Sequence, residues 1–172
     1  MAILSVPYLT VLLNFVIMTM MQRMPTAHAQ LQHSEESGFL SPQNEARTMV
    51  GVPPLSWDYN LTSYAASYAA SQADQCEALV HSRGPFGENL FWGGFGRAWK
   101  PEDAVGFWVE ESSYYDYSSN SCAPGRMCGH YTQIVWRDTT HVGCASQICS
   151  SGSVLMICNY NPPGNYIGEW PY

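Results

Sequence analysis

The sequence predicts an α+β domain, with helices covering a central antiparallel sheet stapled by three disulfides. Three observations carry this prediction. Apolar residues recur at helical spacing in the first half of the chain and at a spacing of two after about residue 130. Short polar connectors such as Ser150-Ser151-Gly152-Ser153 separate the late apolar runs, which is the pattern of a meander. The 172 residues include six cysteines, at 76, 122, 128, 144, 149 and 158, an even count that suits bridges in an oxidising compartment. No Cys-x-x-Cys pair points to structural zinc instead, and spacing alone leaves all fifteen pairings of six cysteines open.

The chain opens on an apolar run, 9–21, broken only by Thr10, Asn14 and Thr19. It is short for a membrane span. Ala27 and Ala29 form a small-residue cleavage signature, so residues 1–29 read as a secretory leader cut before Gln30, with a membrane anchor as the alternative. Cleavage leaves 143 residues (172 − 29), one ordinary domain. Arg23 departs with the leader, so 6 basic residues face 14 acidic ones, a net charge of −8. That balance excludes nucleic acid as a partner and electrostatic attraction to anionic lipid. The expected product is a secreted monomer with no transmembrane anchor.

Residues 30–38 are polar and read as a flexible arm, and a single domain spans 39–172. Ser41-Pro42 matches an N-cap followed by proline at the first helical position, with Gly51 and Pro53-Pro54 as the stop. A second helix starts near Trp57, and Leu61, Tyr64, Ala65, Tyr68, Ala69 and Ala73 share one face of it. Residues 81–100 are glycine-rich and predict no regular structure. Pro101, followed by Glu102 and Asp103, starts a third helix with Ala104, Val105, Trp108, Ser112 and Tyr115 on its inner face. Residues 117–129 form a loop, and 132–137, 141–148 and 154–160 are read as three strands. Asn60-Leu61-Thr62 is an N-glycosylation sequon.

Several polar residues stand where apolar ones are expected. Glu111, three residues after Trp108 and seven after Ala104, falls on the inner helix face, and Glu110 does not. Glu88 sits within an apolar segment, and His81 and His130 border apolar runs. A buried carboxylate needs a partner. Two imidazoles can supply it, and can also offer nitrogens to a divalent metal while the acids orient them. The spacing 81, 88, 111, 130 matches no local metal motif, so it does not decide between a site and satisfied core residues.

Four blocks in order settle the weighting: Gly87-Glu88-Asn89-Leu90, Trp108-Val109-Glu110-Glu111, Gly129-His130-Tyr131-Thr132-Gln133 and Cys158-Asn159-Tyr160-Asn161-Pro162. They resemble the signatures of the CAP superfamily, which covers cysteine-rich secretory proteins, venom antigen 5 and plant pathogenesis-related proteins of group one. The likeness is greatest to the plant group. It implies a three-layer α-β-α sandwich. It also implies a cleft in which His81 and His130 can bind zinc or magnesium, with Glu88 and Glu111 as partners. The bridges it implies are Cys76–Cys149, Cys122–Cys128 and Cys144–Cys158. Gln43-Asn44 stands where many relatives have His-Asn, which suggests a later helix start and an unaffected cleft.

The resemblance further implies secretion into the apoplast and three roles. Tyr114, Tyr115 and Tyr117 correspond to an aromatic loop that, with a groove between helices, holds sterols or fatty acids in relatives; the alternative is that they cap the core. The tail 162–172 has the P-x-G-N-x5-P-Y form from which plant relatives release a defence peptide by proteolysis. A metal-dependent hydrolase is the competing role for the His/Glu cleft, and no cofactor is required by the others.

Overall fold

The computed structural model describes residues 27–172, in which residues 27–50 begin the first helix. Two compact units divide the chain, Met1–Ser34 and Glu35–Tyr172. Residues 27–34 of the first are helical, and the expected leader up to residue 26 lies outside the described residues. Among the described residues, no helix is long and apolar enough to cross a membrane.

Among the described residues, four helices and six strands follow in the order α1 (Ala27–Val50), β1 (Ser56–Trp57), α2 (Tyr59–Ser71), β2 (Gly87–Gly93), α3 (Pro101–Glu110), β3 (Tyr115–Asp116), β4 (Ser121–Cys122), α4 (Gly129–Ile134), β5 (His141–Ile148) and β6 (Val154–Asn161). The main sheet has the order β1-β5-β6-β2, antiparallel except for the parallel β1–β5 pair, and β3-β4 form a separate two-stranded sheet. Strand β6 is buried along seven consecutive residues, as expected of a central strand covered on both faces. One face packs Leu90, Leu155 and Ile157 against Ala65 and Ala69 of α2. The other packs Phe91, Met156, Cys158 and Tyr160 against Phe39, Val105, Trp108 and Ile134 of the remaining helices. The result is a three-layer α-β-α sandwich, joined by Cys76–Cys149, Cys122–Cys128 and Cys144–Cys158.

Local signals placed α2 and α3. The Asp58 carboxylate accepts the Asn60 and Leu61 N–H groups at 2.7 and 3.3 Å, a side-chain N-cap. Helix α2 lies so close to β5 that a Cβ on Gly143 would meet the Thr62 nitrogen at 2.3 Å, so only glycine fits there. Pro101 occupies the first turn of α3, and Asp103 Oδ2 accepts the Lys100 N–H at 2.8 Å.

Five expectations are corrected. Residues 30–38 are helical rather than a flexible arm, and α1 starts well before Ser41-Pro42, with Pro42 inside it. Gln and Glu are good helix formers, and one proline removes a single backbone bond. Phe39, Gln43 and Arg47, four residues apart, are all fully buried and hold that face of α1 against the core. The glycine-rich segment contains β2, which seven register pairs with β6 impose. Residues 129–134 form α4 rather than the start of a strand. Ser112 is exposed, because the chain tightens into a 3-10 turn, Glu111–Tyr114, after α3.

Candidate functional site

Glu111 is the first residue beyond α3, and the tightened turn aims its carboxylate at α4. Oε2 accepts the His130 and Tyr131 backbone N–H groups at 2.9 and 3.3 Å, and Oε1 lies 2.7 Å from His130 Nδ1. The first N–H groups of a helix have no partner within it, so one side chain both caps α4 and fixes the imidazole. The ring lies nearly parallel to Trp108, centroids 6.1 Å apart. With Nδ1–H given to the carboxylate, Nε2 keeps its lone pair. Glu110 is exposed and takes no part.

The second pair is built differently. Glu88, near the start of β2, has a side chain only 5% exposed, whereas that of His81, on the loop before it, is 58% exposed. Glu88 Oε1 lies 2.9 Å from His81 Nδ1 and accepts the Ser82 N–H at 2.9 Å, while Oε2 accepts from Asn159 Nδ2 at 3.2 Å. The hydrogen bond to Glu88 raises the His81 pKa above its ordinary value, against the opposing effect of burial. Burial pushes the Glu88 carboxyl up, but the bonds from His81, Ser82 and Asn159 together outweigh it and hold the carboxyl below its usual value. Gly87, Gln133, Gly164 and Asn165 join His81 and Glu88 around a cleft of about 300 Å³.

A buried chain of polar groups that the sequence did not reveal links the two pairs to α1. Asn89, next to Glu88, donates to the His130 carbonyl at 3.0 Å and to the Tyr160 hydroxyl at 3.2 Å. Tyr160 donates in turn to Gln43 Oε1 at 2.7 Å. Gln43, the departure from the family pattern, is therefore tied to the cleft rather than remote from it. At the other end of α4, Arg47 donates to the carbonyls of Ile134 and Trp136, both at 2.8 Å, and of Thr139 at 2.9 Å. Burial lowers its pKa to about 10. The signal for both residues was a polar pair at core-face spacing from Phe39.

Among the described residues, no group of three or more His, Cys, Asp or Glu side chains is arranged to hold a metal ion. The donor chemistry nevertheless suits one in part. Each histidine has Nδ1 engaged by a carboxylate, the outer-shell arrangement that orients an imidazole toward a metal through Nε2.

The profile of the cysteine-rich secretory protein family, CAP, matches residues 40–160. The chain belongs to the CAP family. It is 51% identical over 162 residues to pathogenesis-related protein PR-1 of Medicago truncatula, covering 94% of this chain and 92% of that one. It is 49% identical to pathogenesis-related protein PRMS of Zea mays, covering 84% and 87%. The crystal structure of NaASP2 with Zn2+ superposes with a TM-score of 0.63 at 23% identity, over 81% of this chain and 85% of that one. Na-ASP-1 superposes with a TM-score of 0.68 at 24% identity; the match covers 81% of this chain but 41% of that longer protein. These likenesses to solved structures show the CAP fold.

On the far side of α4, the CAP domain carries the three tyrosines, and each has a partner. The Tyr114 ring lies under the Arg126 guanidinium at 4.8 Å. Tyr115 packs against the core and donates to Asn120 Oδ1 at 2.7 Å. Burial, then the neighbouring Tyr172 and Tyr117, push its hydroxyl pKa up to about 12. Tyr117 stacks on Tyr172, centroids 4.8 Å apart. The C-terminal tail lies against Tyr115 and Tyr117. Tail and α4 are joined by Asn165, which accepts from Thr132 Oγ1 at 2.7 Å and donates to the Gly129 carbonyl at 2.8 Å. Gly164 passes so close to Trp136 that a Cβ there would lie 2.6 Å from its ring. A separate groove of about 810 Å³ runs between α1 and α3, lined by Pro42, Ala46, Met49 and Val109. Asn60, in the sequon, is exposed at the start of α2.

Proposed function

We propose that this chain is a secreted plant defence protein of the CAP family that binds a sterol or related lipid and is the precursor of a C-terminal defence peptide, residues 162–172. Residues 1–29 serve as its leader, and three disulfides suit the apoplast. The observation that carries the reading is similarity along nearly the whole chain to plant pathogenesis-related proteins. Two features of the chain support it. Residues 161–162 and 165–170 are exposed, as a protease that frees the tail requires. The lipid has two candidate places, the tyrosine loop and the apolar groove between α1 and α3.

Labelled free sterol offered to the mature chain tests this reading. Saturable binding that a free sterol competes better than its ester supports it, and no saturable binding removes the lipid role. Val109→Asp should abolish binding if the groove is used and leave it intact if the tyrosine loop is used.

The His/Glu cleft supports a second reading, a metal-dependent hydrolase. Its observation is the carboxylate on each Nδ1. His81 and His130 would hold zinc or magnesium through Nε2, with solvent completing the coordination. When bound, the ion supplies Lewis-acid activation of water or a carbonyl. Glu88 and Glu111 orient the rings and balance charge. All six cysteines are bridged, so none is a thiol nucleophile. Zinc-dependent peptide or ester hydrolysis that disappears in a His81→Ala/His130→Ala variant would favour this reading; hydrolysis that persists would place the activity elsewhere.

A further inference from the structure

The aromatic slot on the far side of α4 already holds a ligand, the end of the same chain. The Tyr172 ring stacks on Tyr117 at 4.8 Å and 21°, and meets Tyr115 edge-on at 6.5 Å. Its backbone oxygen accepts from the Tyr117 hydroxyl at 2.6 Å. Trp170 Nε1 donates to the Tyr117 carbonyl at 2.9 Å, and Asn120 Nδ2 donates to the Glu169 carbonyl at 2.8 Å. These contacts run both ways between one loop and one segment, and they read the backbone as well as the two aromatic rings. That is how a peptide-binding site holds an aromatic chain end.

The geometry points to residues 115–120, with Tyr131 behind them, as a recognition slot for an aromatic C-terminal peptide. We propose that the tail is its resident ligand and that a sterol enters the slot only when the tail swings out. The second half of this inference rests on the lipid reading above.

The tail is fastened unevenly, which makes that exchange possible. Residues 162–165 are tied to the domain. Thr139 Oγ1 donates to the Pro162 carbonyl at 2.9 Å, the Gly164 N–H donates to Gln133 Oε1 at 3.0 Å, and Asn165 is bonded to α4 on both of its amide atoms. Beyond Asn165, residues 166–170 are exposed, Pro171 is buried and Tyr172 half-buried, and the bonds to Tyr117 and Asn120 lie at exposed positions. Such bonds each net only about 1 kcal/mol against water. The vacated slot would present the flat face of Tyr117, now stacked on Tyr172, with Tyr115 beside it. It would also free the Arg137 N–H, now bonded to the Pro171 carbonyl at 2.7 Å. A flat apolar body with a single hydroxyl at one end answers both features.

The test uses the full mature chain and a Trp170→Ala/Tyr172→Ala variant, with labelled sterol as the probe. If the tail keeps the slot closed nine-tenths of the time, the variant binds sterol about tenfold more tightly than the wild type, since a minority binding-competent state weakens apparent affinity by its population. In the wild type, saturating sterol should accelerate chymotrypsin cleavage after Tyr166, read by mass spectrometry. Wild-type sterol binding that the variant leaves unchanged or weakens, with no effect of sterol on cleavage, overturns the exclusive-occupancy inference and leaves the lipid reading standing. If neither form binds sterol, both fall together.

Discussion

Two sites lie on either side of the six-residue helix α4, and they are finished in opposite ways. On one side, His130 and His81 are each held by a carboxylate through Nδ1. On the other side, Tyr172 stacks on Tyr117 and meets Tyr115 edge-on, with Tyr131 buried next to Tyr115. The first site is organised by charge, so protons, metal and salt should govern it. The second is organised by ring stacking and uncharged hydrogen bonds to the tail, so what displaces the tail should govern it. Proximity therefore does not imply a shared function, and the sharpest tests are those that separate the two.

The largest expected effect falls on both sites together. Arg47→Met would take the donor from the carbonyls of Pro53, Ile134 and Thr139, and one of two donors from that of Trp136. It should lower stability by about 3–5 kcal/mol in urea unfolding, because each orphaned buried group costs roughly 1–3 kcal/mol. The bridges come next. Replacing Cys76 and Cys149 by serine opens a loop of 73 residues, worth about 4 kcal/mol, against about 2 kcal/mol for the 6-residue loop of Cys122–Cys128. Yet Cys128 immediately precedes α4. The smaller loss of stability should therefore do the greater damage to sterol and metal binding, which parallel calorimetry on both variants would reveal.

Glu88→Gln separates the sites more finely. Loss of the carboxylate behind His81 should weaken zinc binding about ten- to a hundredfold and leave sterol binding unchanged. Equal loss of both would mean that the two sites are one.

The smallest effect is on pH. His81 has a raised pKa, so its contribution to stability is complete below the ordinary value of 6.5 and is lost as pH rises through the folded value. Glu88 is depressed, so its contribution is present above 4.5 and is lost as pH falls through its folded value. The pair supports the fold most between those limits. His81→Ala should flatten the decline in stability above pH 6.5, and sterol affinity should not follow that curve.

How much of this was legible depended on how local the cause is. Pro101 with its two acids, and Glu111 in preference to Glu110, follow from a few adjacent residues. Helix α4 was hidden because Thr132, Ile134 and Val135 favour a strand. What makes it helical arrives from outside: Glu111 satisfies its first N–H groups, and Arg47 satisfies carbonyls at its end. Strand β2 was hidden because its flanking glycines outweighed the apolar residues between them, and its identity comes from β6. The cysteine pairs were legible through the family resemblance, not through spacing, and it singled out the residues of the two separate His–Glu pairs. The covering of the tyrosines by the tail left no trace in the sequence, since contacts across more than fifty residues follow no period.

The central claim, that the chain is a lipid-binding member of its family and that burial rather than charge drives the binding, is tested most directly by equilibrium binding of labelled free sterol to the mature protein across a salt series. The account predicts saturable binding at one site per chain, with an affinity that stays level as salt rises, because screening acts on charges and not on a neutral ring system. No saturable binding, or an affinity that falls steeply with salt, would contradict it.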